Sequence, residues 1–318
     1  SVVPDRIELL LLERILGPAL QCLEACLEKG LLVVTGGFVA FRHELIRMTI
    51  EETLSALKRM RLNQRILDAL VQDGGDTEYL PRVAHHAIAA QNVEAILRFA
   101  PAAAQIATNR RAHRDAAALL SAVHPYVAQL ASADRAAFYE QRSRACLLID
   151  SGAEALRMSE AAFALWEGLG DVFAQGQNLV RRCEIIHDAA LSRWAELPAL
   201  VTRAVALLAR CELSADLALA KVWEAQTHCI DAPDRARACF GEAMAIVNCV
   251  SDPAGIVDVL SRAAQFEQVA LWRPESPEAA TRLLALATQH GVDGGVVSGA
   301  FVVIASAALR ADWLPAPS

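Results

Sequence analysis

Apolar and polar positions along this chain repeat with two different rhythms. From Glu78 onward, apolar residues return every three or four positions with short breaks, the mark of helices that bury one face. Asp252-Pro253 and Ser276-Pro277 mark helix starts, because Asp or Ser can cap free amide groups and Pro suits the first turn. Further breaks fall at Gly170-Asp171, around Leu213-Ser214 and at 291–295. No stretch in this region alternates as a strand does. Residues 1–72 differ. Segments 5–15 and 18–29 carry helical periodicity. Leu31 to Val34 and Phe38 to Phe41 are short β-rich runs around Thr35-Gly36-Gly37, which predicts a hairpin. Ile46, Ile50, Leu54 and Leu57 then share one helical face. The run 73–77, Asp-Gly-Gly-Asp-Thr, breaks the pattern and predicts a boundary between domains 1–75 and 76–318.

Helix, helix, hairpin and helix make a small α+β unit that resembles a winged helix. The longer region contains an internal repeat of the form Ala-x-x-x-bulky-x-x-Ala. It fits Ala236, Phe240, Ala243 and Ala280, Leu284, Ala287 well. It fits Ala155, Ser159, Ala162 and Leu197, Val201, Ala204 loosely, and Ala112, Ala116, Leu119 faintly. Successive first positions are 43, 42, 39 and 44 residues apart. A period near 42 holds two helices and two turns, and a small residue lets the neighbouring helix approach closely. The predicted fold class is therefore mostly α. A winged-helix-like α+β unit is followed by an α-superhelix of about five tetratricopeptide-like helix pairs.

Composition narrows the function. About a fifth of the 318 residues are Ala and only 5% are aromatic, which disfavours an all-β fold. With 54% hydrophobic residues the chain can bury a large core, so disorder is excluded. The net charge of −7 argues against broad nucleic-acid binding. The three Lys (Lys29, Lys58, Lys221) lie outside any Walker-A loop, so this chain alone is no P-loop ATPase. Eight Cys without a C-x-x-C predict buried free thiols and a reducing, cytoplasmic setting. Asp5, Arg6 and Glu8 interrupt any signal peptide. The apolar stretch Val296 to Leu309 is too short to span a bilayer and predicts a buried helix, so no membrane partner is expected. The opening Ser1, with no initiator Met, predicts a piece or a processed product. Catalytic signatures such as G-x-S-x-G, H-E-x-x-H or a glycine-rich dinucleotide loop are absent, so no enzyme is expected in this chain alone.

One motif carries a resemblance. Phe41-Arg42-His43-Glu44-Leu45-Ile46-Arg47 is similar to the large ATP-binding LuxR-type transcription regulators, the MalT-like group of signal-transducing ATPases. Leu23 to Leu27, Gly30 to Val33 and Gly37 to Glu44 resemble that family's winged helix and wing. Val83 to Ala87, Ala90 to Asn92 and Leu97 to Ala103 resemble its first helix pairs. Ala112 to Ala118 and Ala164 to Asp171 resemble its repeats. The resemblance implies an ATPase core in cis before this chain and a LuxR-type helix-turn-helix, the DNA-binding part, after it. Neither lies in this sequence. It also implies ATP or ADP as cofactor of the intact protein, none in this chain, and a small-molecule inducer or partner protein on the repeats. The alternative is a stand-alone helical-repeat scaffold for proteins. The repeats depart from the family of standard tetratricopeptides by exceeding 34 residues and lacking its Trp-Leu-Gly-Tyr signature. Beyond about residue 190 the match is compositional.

Candidate residues follow. The resemblance implies that His43, with Arg42 beside it, contacts nucleotide in the intact protein, and an imidazole can bond a phosphate oxygen. The competing role is to cap or pack the hairpin–helix joint, with Arg42 and Glu44 as a local ion pair. Lys58, Arg61 and Arg65, with Arg59, form a basic stripe that suits a solvated face first, a domain interface or phosphate contact second and DNA least. Arg181, Arg182, Lys221, Trp223 and His228 (with Glu224) are candidates to line a ligand groove, since Trp and Arg recur at recognition surfaces. Packing between helices is their other role. Trp166 joins Phe163 and Leu156 on a core face, and Trp194 and Trp272 also fall in the repeats. Cys183 and His187 are one turn apart, beside Asp188, and His85-His86 and His228-Cys229 are adjacent. None has the further ligands that zinc needs, so no metal is expected. Cys22 and Cys26, also one turn apart, suit packing.

Overall fold

The computed structural model describes residues 2–3, 6–72, 79–189, 192–267 and 278–290. The expectations at 73–77, 276–277, 291–295, 296–309 and Trp272 lie outside the described residues. Packing divides the chain into two compact units, Ser1–Ala131 and Ser132–Ser318.

The first unit opens with an α+β part. Strand β1 (Arg6–Glu8) leads into helix α1 (Leu9–Leu16), a 3₁₀ turn (Gly17–Leu20) and helix α2 (Gln21–Glu28). Strands β2 (Leu32–Thr35) and β3 (Phe38–Phe41) follow. The sheet order is β1-β3-β2 and both pairs are antiparallel, with Ile7 opposite Val39 and Val34 opposite Val39. Gly36 and Gly37 both take positive φ, +58° and +82°, which a two-residue hairpin turn demands and which L side chains resist. The predicted hairpin is present. Strand β1 corrects the expected helix over 5–15, whose true start is Leu9. Helix α3 (Glu44–Thr53) and the long α4 (Ala56–Gln72) complete this part.

Helices α5 (Leu80–Ala89), α6 (Val93–Asn109) and α7 (His113–Val123) then pack in sequence, ending in a 3₁₀ segment (His124–Gln129). Asn92 caps α6 by accepting the Ala95 amide at 3.0 Å.

The second unit stacks α8 (Ser132–Leu147) on α9 (Gly152–Leu169), α10 (Val172–Asp188) on α11 (Leu197–Leu208), α12 (Ala215–His228) on α13 (Pro233–Val247), and α14 (Pro253–Phe266) on α15 (Glu278–His290). Two of the expected breaks carry helix caps, while Asp252, expected to cap α14, sits at its N-cap without a side-chain cap bond. Asp171 and Ser214 accept amides of Ala174 and Leu217 at 2.9 and 3.2 Å, and Pro253 opens α14.

The repeat positions fall on α7, α9, α11, α13 and α15, the second helix of each pair. Ala155, Ala162, Ala204, Ala236, Ala243 and Ala280 are wholly buried, and Ser159 and Val201 nearly so. They let second helices lie close against first helices. Gly176 on α10 makes the same point: a Cβ there would sit 2.6 Å from Leu208 Cγ. One apolar core, from Cys146 to Leu283, runs through the unit. The fold class is the expected one: mostly α, a small α+β unit and then antiparallel, tetratricopeptide-like helix pairs. No described helix is long and apolar enough to cross a membrane. No cysteine is disulfide-bonded, but only Cys146, Cys183 and Cys239 are buried, whereas Cys22 and Cys249 are exposed.

Candidate functional site

The first helices of the second unit also pack on one another, α10 on α12 and α12 on α14. Between them and α8 runs a groove of about 330 Å³. Its walls are Ser143, Arg144 and Leu147 of α8; Gln177, Val180, Arg181, Glu184 and Ile185 of α10; Ala215, Asp216 and Leu219 of α12; and Asp252, Gly255 and Asp258 at α14. Gly255 is required at the α12–α14 end. A Cβ there would meet Asp252 Oδ2 at 2.3 Å and Ala215 Cβ at 2.5 Å.

The charges fall into two kinds. Some are tied down. Arg181 donates to Glu140 Oε2 at 3.0 Å. Asn178, wholly buried, donates to Glu140 Oε1 at 2.7 Å and to the Ser159 carbonyl at 3.0 Å, so the groove floor is hydrogen-bonded through α8, α9 and α10. Gln177 donates to Asp216 at 2.8 Å. Others have no such bond: Arg144, Glu184 and Asp258 form no hydrogen bond or ion pair with the described residues, though they feel one another's charge. Burial pushes the Glu184 carboxyl up to about 7, with Arg262 opposing and Asp258 adding to the rise. Burial also raises Asp258, against Arg144, and burial with the nearby Arg181 lowers Arg144.

Of the five residues expected to line a groove, the structure brings one to it. Arg181 is a wall residue. Arg182, one position on, is rotated about 100° around the helix. It lies over the Phe163 ring at 5.3 Å and donates to Asn178 at 3.2 Å. Lys221 reaches Glu224 and Glu242, both at 2.9 Å, bridging α12 to α13. Trp223 is 1% exposed, under Arg262 at 4.5 Å and edge-on to His187 at 5.4 Å, so it is core. His228 ends α12, about 18 Å along the axis from Asp216. The groove role of Arg182, Lys221, Trp223 and His228 is thus corrected by where the helix faces turn.

Around Trp223, Arg262 also donates to Asp188 at 3.1 Å, while the His187 ring bonds Asp188 at 2.7 Å and lies 5.0 Å from Trp194. A cation therefore already occupies the place beside Cys183 and His187. Burial pushes the Cys183 thiol up to about 12. Among the described residues no three metal-ligating side chains gather.

His43 is exposed at the start of α3, in extended conformation, and its carbonyl accepts the Ile46 amide at 3.0 Å. Its ring makes no capping bond. Arg42 is also exposed, its guanidinium beside Gly30. Glu44 pairs with Arg47 at 2.7 Å, which corrects the expected Arg42–Glu44 pair: one helical turn brings Arg47 closer. Lys58, Arg59, Arg61 and Arg65 are exposed, and Arg65 also donates to the Ile15 carbonyl.

The sequence reading missed Arg144, Glu184, Asp216, Asp252 and Asp258. A signal existed. Asp258 interrupts Ile256-Val257 and Val259-Leu260, and Glu184 sits between Cys183 and Ile185-Ile186. A carboxylate inside an apolar helical run faces a cavity or a partner.

The fold and groove place the chain among helical-repeat proteins. No family profile matches the sequence, and no curated protein matches it. Among solved structures, a Rap protein complexed with Competence and Sporulation Factor aligns over 85% of this chain and 88% of that chain, at 12% identity and a TM-score of 0.49. A signal transduction ATPase with numerous domains and a tetratricopeptide repeat sensor, from Pyrococcus horikoshii, aligns over 97% of this chain and 58% of that chain, at 13% identity and a TM-score of 0.31.

Proposed function

We propose that this chain is the sensor region of a LuxR-type ATP-dependent transcription regulator of the cytoplasm. In this reading the repeats receive an inducer or partner, and the α+β unit, as a winged helix, relays the event to an ATPase core in cis. DNA binding belongs to a further segment. The chain itself performs no chemistry. The observation that carries the sensor role is the groove between first helices, whose Arg144, Glu184 and Asp258 side chains have no hydrogen-bond or ion-pair partner among the described residues. A ligand that neutralises them would favour one closed or open state of the whole. The exposed His43, at a helix start with no side-chain cap bond, supports contact with nucleotide phosphate in the intact protein.

The test is ADP affinity of the intact protein. His43→Ala is expected to weaken it about tenfold, the loss of one charge-assisted bond. Unchanged nucleotide dependence would favour the second reading, a helical-repeat interaction scaffold without a nucleotide switch. The stacked helix pairs alone are compatible with that reading.

A further inference from the structure

We propose that the groove between α8, α10, α12 and α14 takes a small amine-rich zwitterion, a basic amino acid, rather than a protein segment. This rests on the groove being the ligand site of the sensor.

The charge arithmetic comes from the residues. Arg181 is neutralised by Glu140. Asp216 is bonded by Gln177 and lies in the first turn of α12, and Asp252 precedes α14. Acids at helix starts are stabilising in themselves, so these two are accounted for without a ligand. Three charges remain. Glu184 lies deep in α10 and Asp258 is the sixth residue of α14, so neither serves a helix start. Arg144 is in the last turn of α8, where a cation is welcome, but its guanidinium has no carboxylate in bonding reach among the described residues. Holding unpaired carboxylates in a cavity costs stability, and Glu184 shows that cost in its raised pKa. A fold keeps such groups where they do something else.

One cation and two acids call for one carboxylate and two ammonium or guanidinium groups. A basic α-amino acid carries that set. Arg144 would take the carboxylate, while Glu184 and Asp258 would take the two cations. Leu147, Val180, Ile185 and Leu219 offer apolar wall for the methylene stem between them. The volume agrees. About 330 Å³ lies at the small end of the roughly 300–1,000 Å³ of small-molecule pockets, and is too small for a folded partner's surface.

Calorimetric titration of the 318-residue chain tests this with L-lysine, L-arginine, lysinamide and L-norleucine. The expected result is binding of L-lysine or L-arginine. Lysinamide, which lacks the carboxylate, and norleucine, which lacks the side-chain amine, should each be weaker by about tenfold or more. Arg144→Gln should weaken the amino acid by a similar factor and leave lysinamide unchanged. Asp258→Asn should weaken both. Neither variant removes a side-chain bond to the described residues, so both should fold. Absence of binding by either basic amino acid at millimolar concentration, or equal binding of all four probes, overturns the proposal. The sensor reading fails separately. If neither amino acid binds but Arg144→Gln abolishes signalling in the intact regulator, the ligand class is wrong and the sensor stands. If L-lysine binds and Arg144→Gln leaves the intact protein's nucleotide response untouched, the ligand stands and the regulator falls.

Discussion

Two regions of this molecule hold their half-buried charges differently. Within residues 1–131 the charged Arg47 and Arg82 and the buried His86 are matched, although the buried Nδ1 of His113 has no hydrogen-bond partner among the described residues. His86, 1% exposed, bonds Asn63 at 2.7 Å across α4 and α5. Arg47 is held by Glu44 and Glu51, and Arg82 bonds both carboxylate oxygens of Glu8 at 2.6 and 3.0 Å. Within residues 132–318 the floor under the groove is bonded too, yet the Arg144, Glu184 and Asp258 side chains above it have no such bond among the described residues. Matched groups specify how helices dock. Unmatched ones store an electrostatic demand that a ligand can meet.

The largest expected effect separates core from groove inside the second region. Trp223→Ala should destabilise residues 132–318 by about 3–5 kcal/mol, because a wholly packed ring leaves a cavity. All five Trp lie after residue 131, so tryptophan fluorescence during urea unfolding reads this region, with Trp166 and Trp194 still present in the variant. A loss under about 1 kcal/mol would return Trp223 to the groove.

Next comes pH, where the two regions should respond with opposite sign. His86 has its pKa lowered to about 3, by burial first and then by the charges of His85 and Arg82. Its unfolded form binds a proton more readily, so its contribution is complete above about 6.5 and is lost as pH falls toward 3. Glu184 is the reverse. Its folded pKa, about 7, exceeds the ordinary 4.5, so stability is lost as pH rises from 4.5 through 7. Hydrogen exchange of α4 and α5 amides should show weakening below pH 6.5 that His86→Gln flattens. Fluorescence-detected urea midpoints should fall between pH 4.5 and 7.5, and Glu184→Gln should remove a drop on the order of 1–3 kcal/mol. Parallel slopes in both regions would break the comparison.

Smaller still is Arg144→Gln, expected within about 0.5 kcal/mol of the parent because no side-chain bond to the described residues is lost. A loss above about 2 kcal/mol would mean that Arg144 is structural after all. Thiol chemistry gives the finest test. Cys22 and Cys249 should react with an alkylating reagent in the native chain, while Cys183, buried and with its thiol pushed up to about 12, should react only on unfolding.

How far these regions could be read from sequence depended on contrast between faces. Ala155, Ala204, Ala236 and Ala243 betray the second helices because a small buried residue recurs opposite polar ones. Gly36-Gly37 betrays the hairpin because only such residues take its positive φ readily. Strand β1, three residues long, is too short to show alternation. Helix α12 fails for another reason. Residues 217–220, 222, 223 and 225 are all buried, so no polar stripe tells which way Lys221 or Trp223 points. Glu184 and Asp258 were visible only as interruptions of apolar runs, and their convergence depends on helices far apart in sequence. His43 was legible only through its motif, and it is exposed at the start of α3.

The central claim is that first helices receive and second helices hold together. Hydrogen exchange read by mass spectrometry on the 318-residue chain, with and without saturating L-arginine, tests it most directly. Ligand binding should slow exchange in α8, α10, α12 and α14 at the groove and leave α5 and α6 unchanged. Protection confined to residues 1–131, or no protection in α10 and α14, would contradict it.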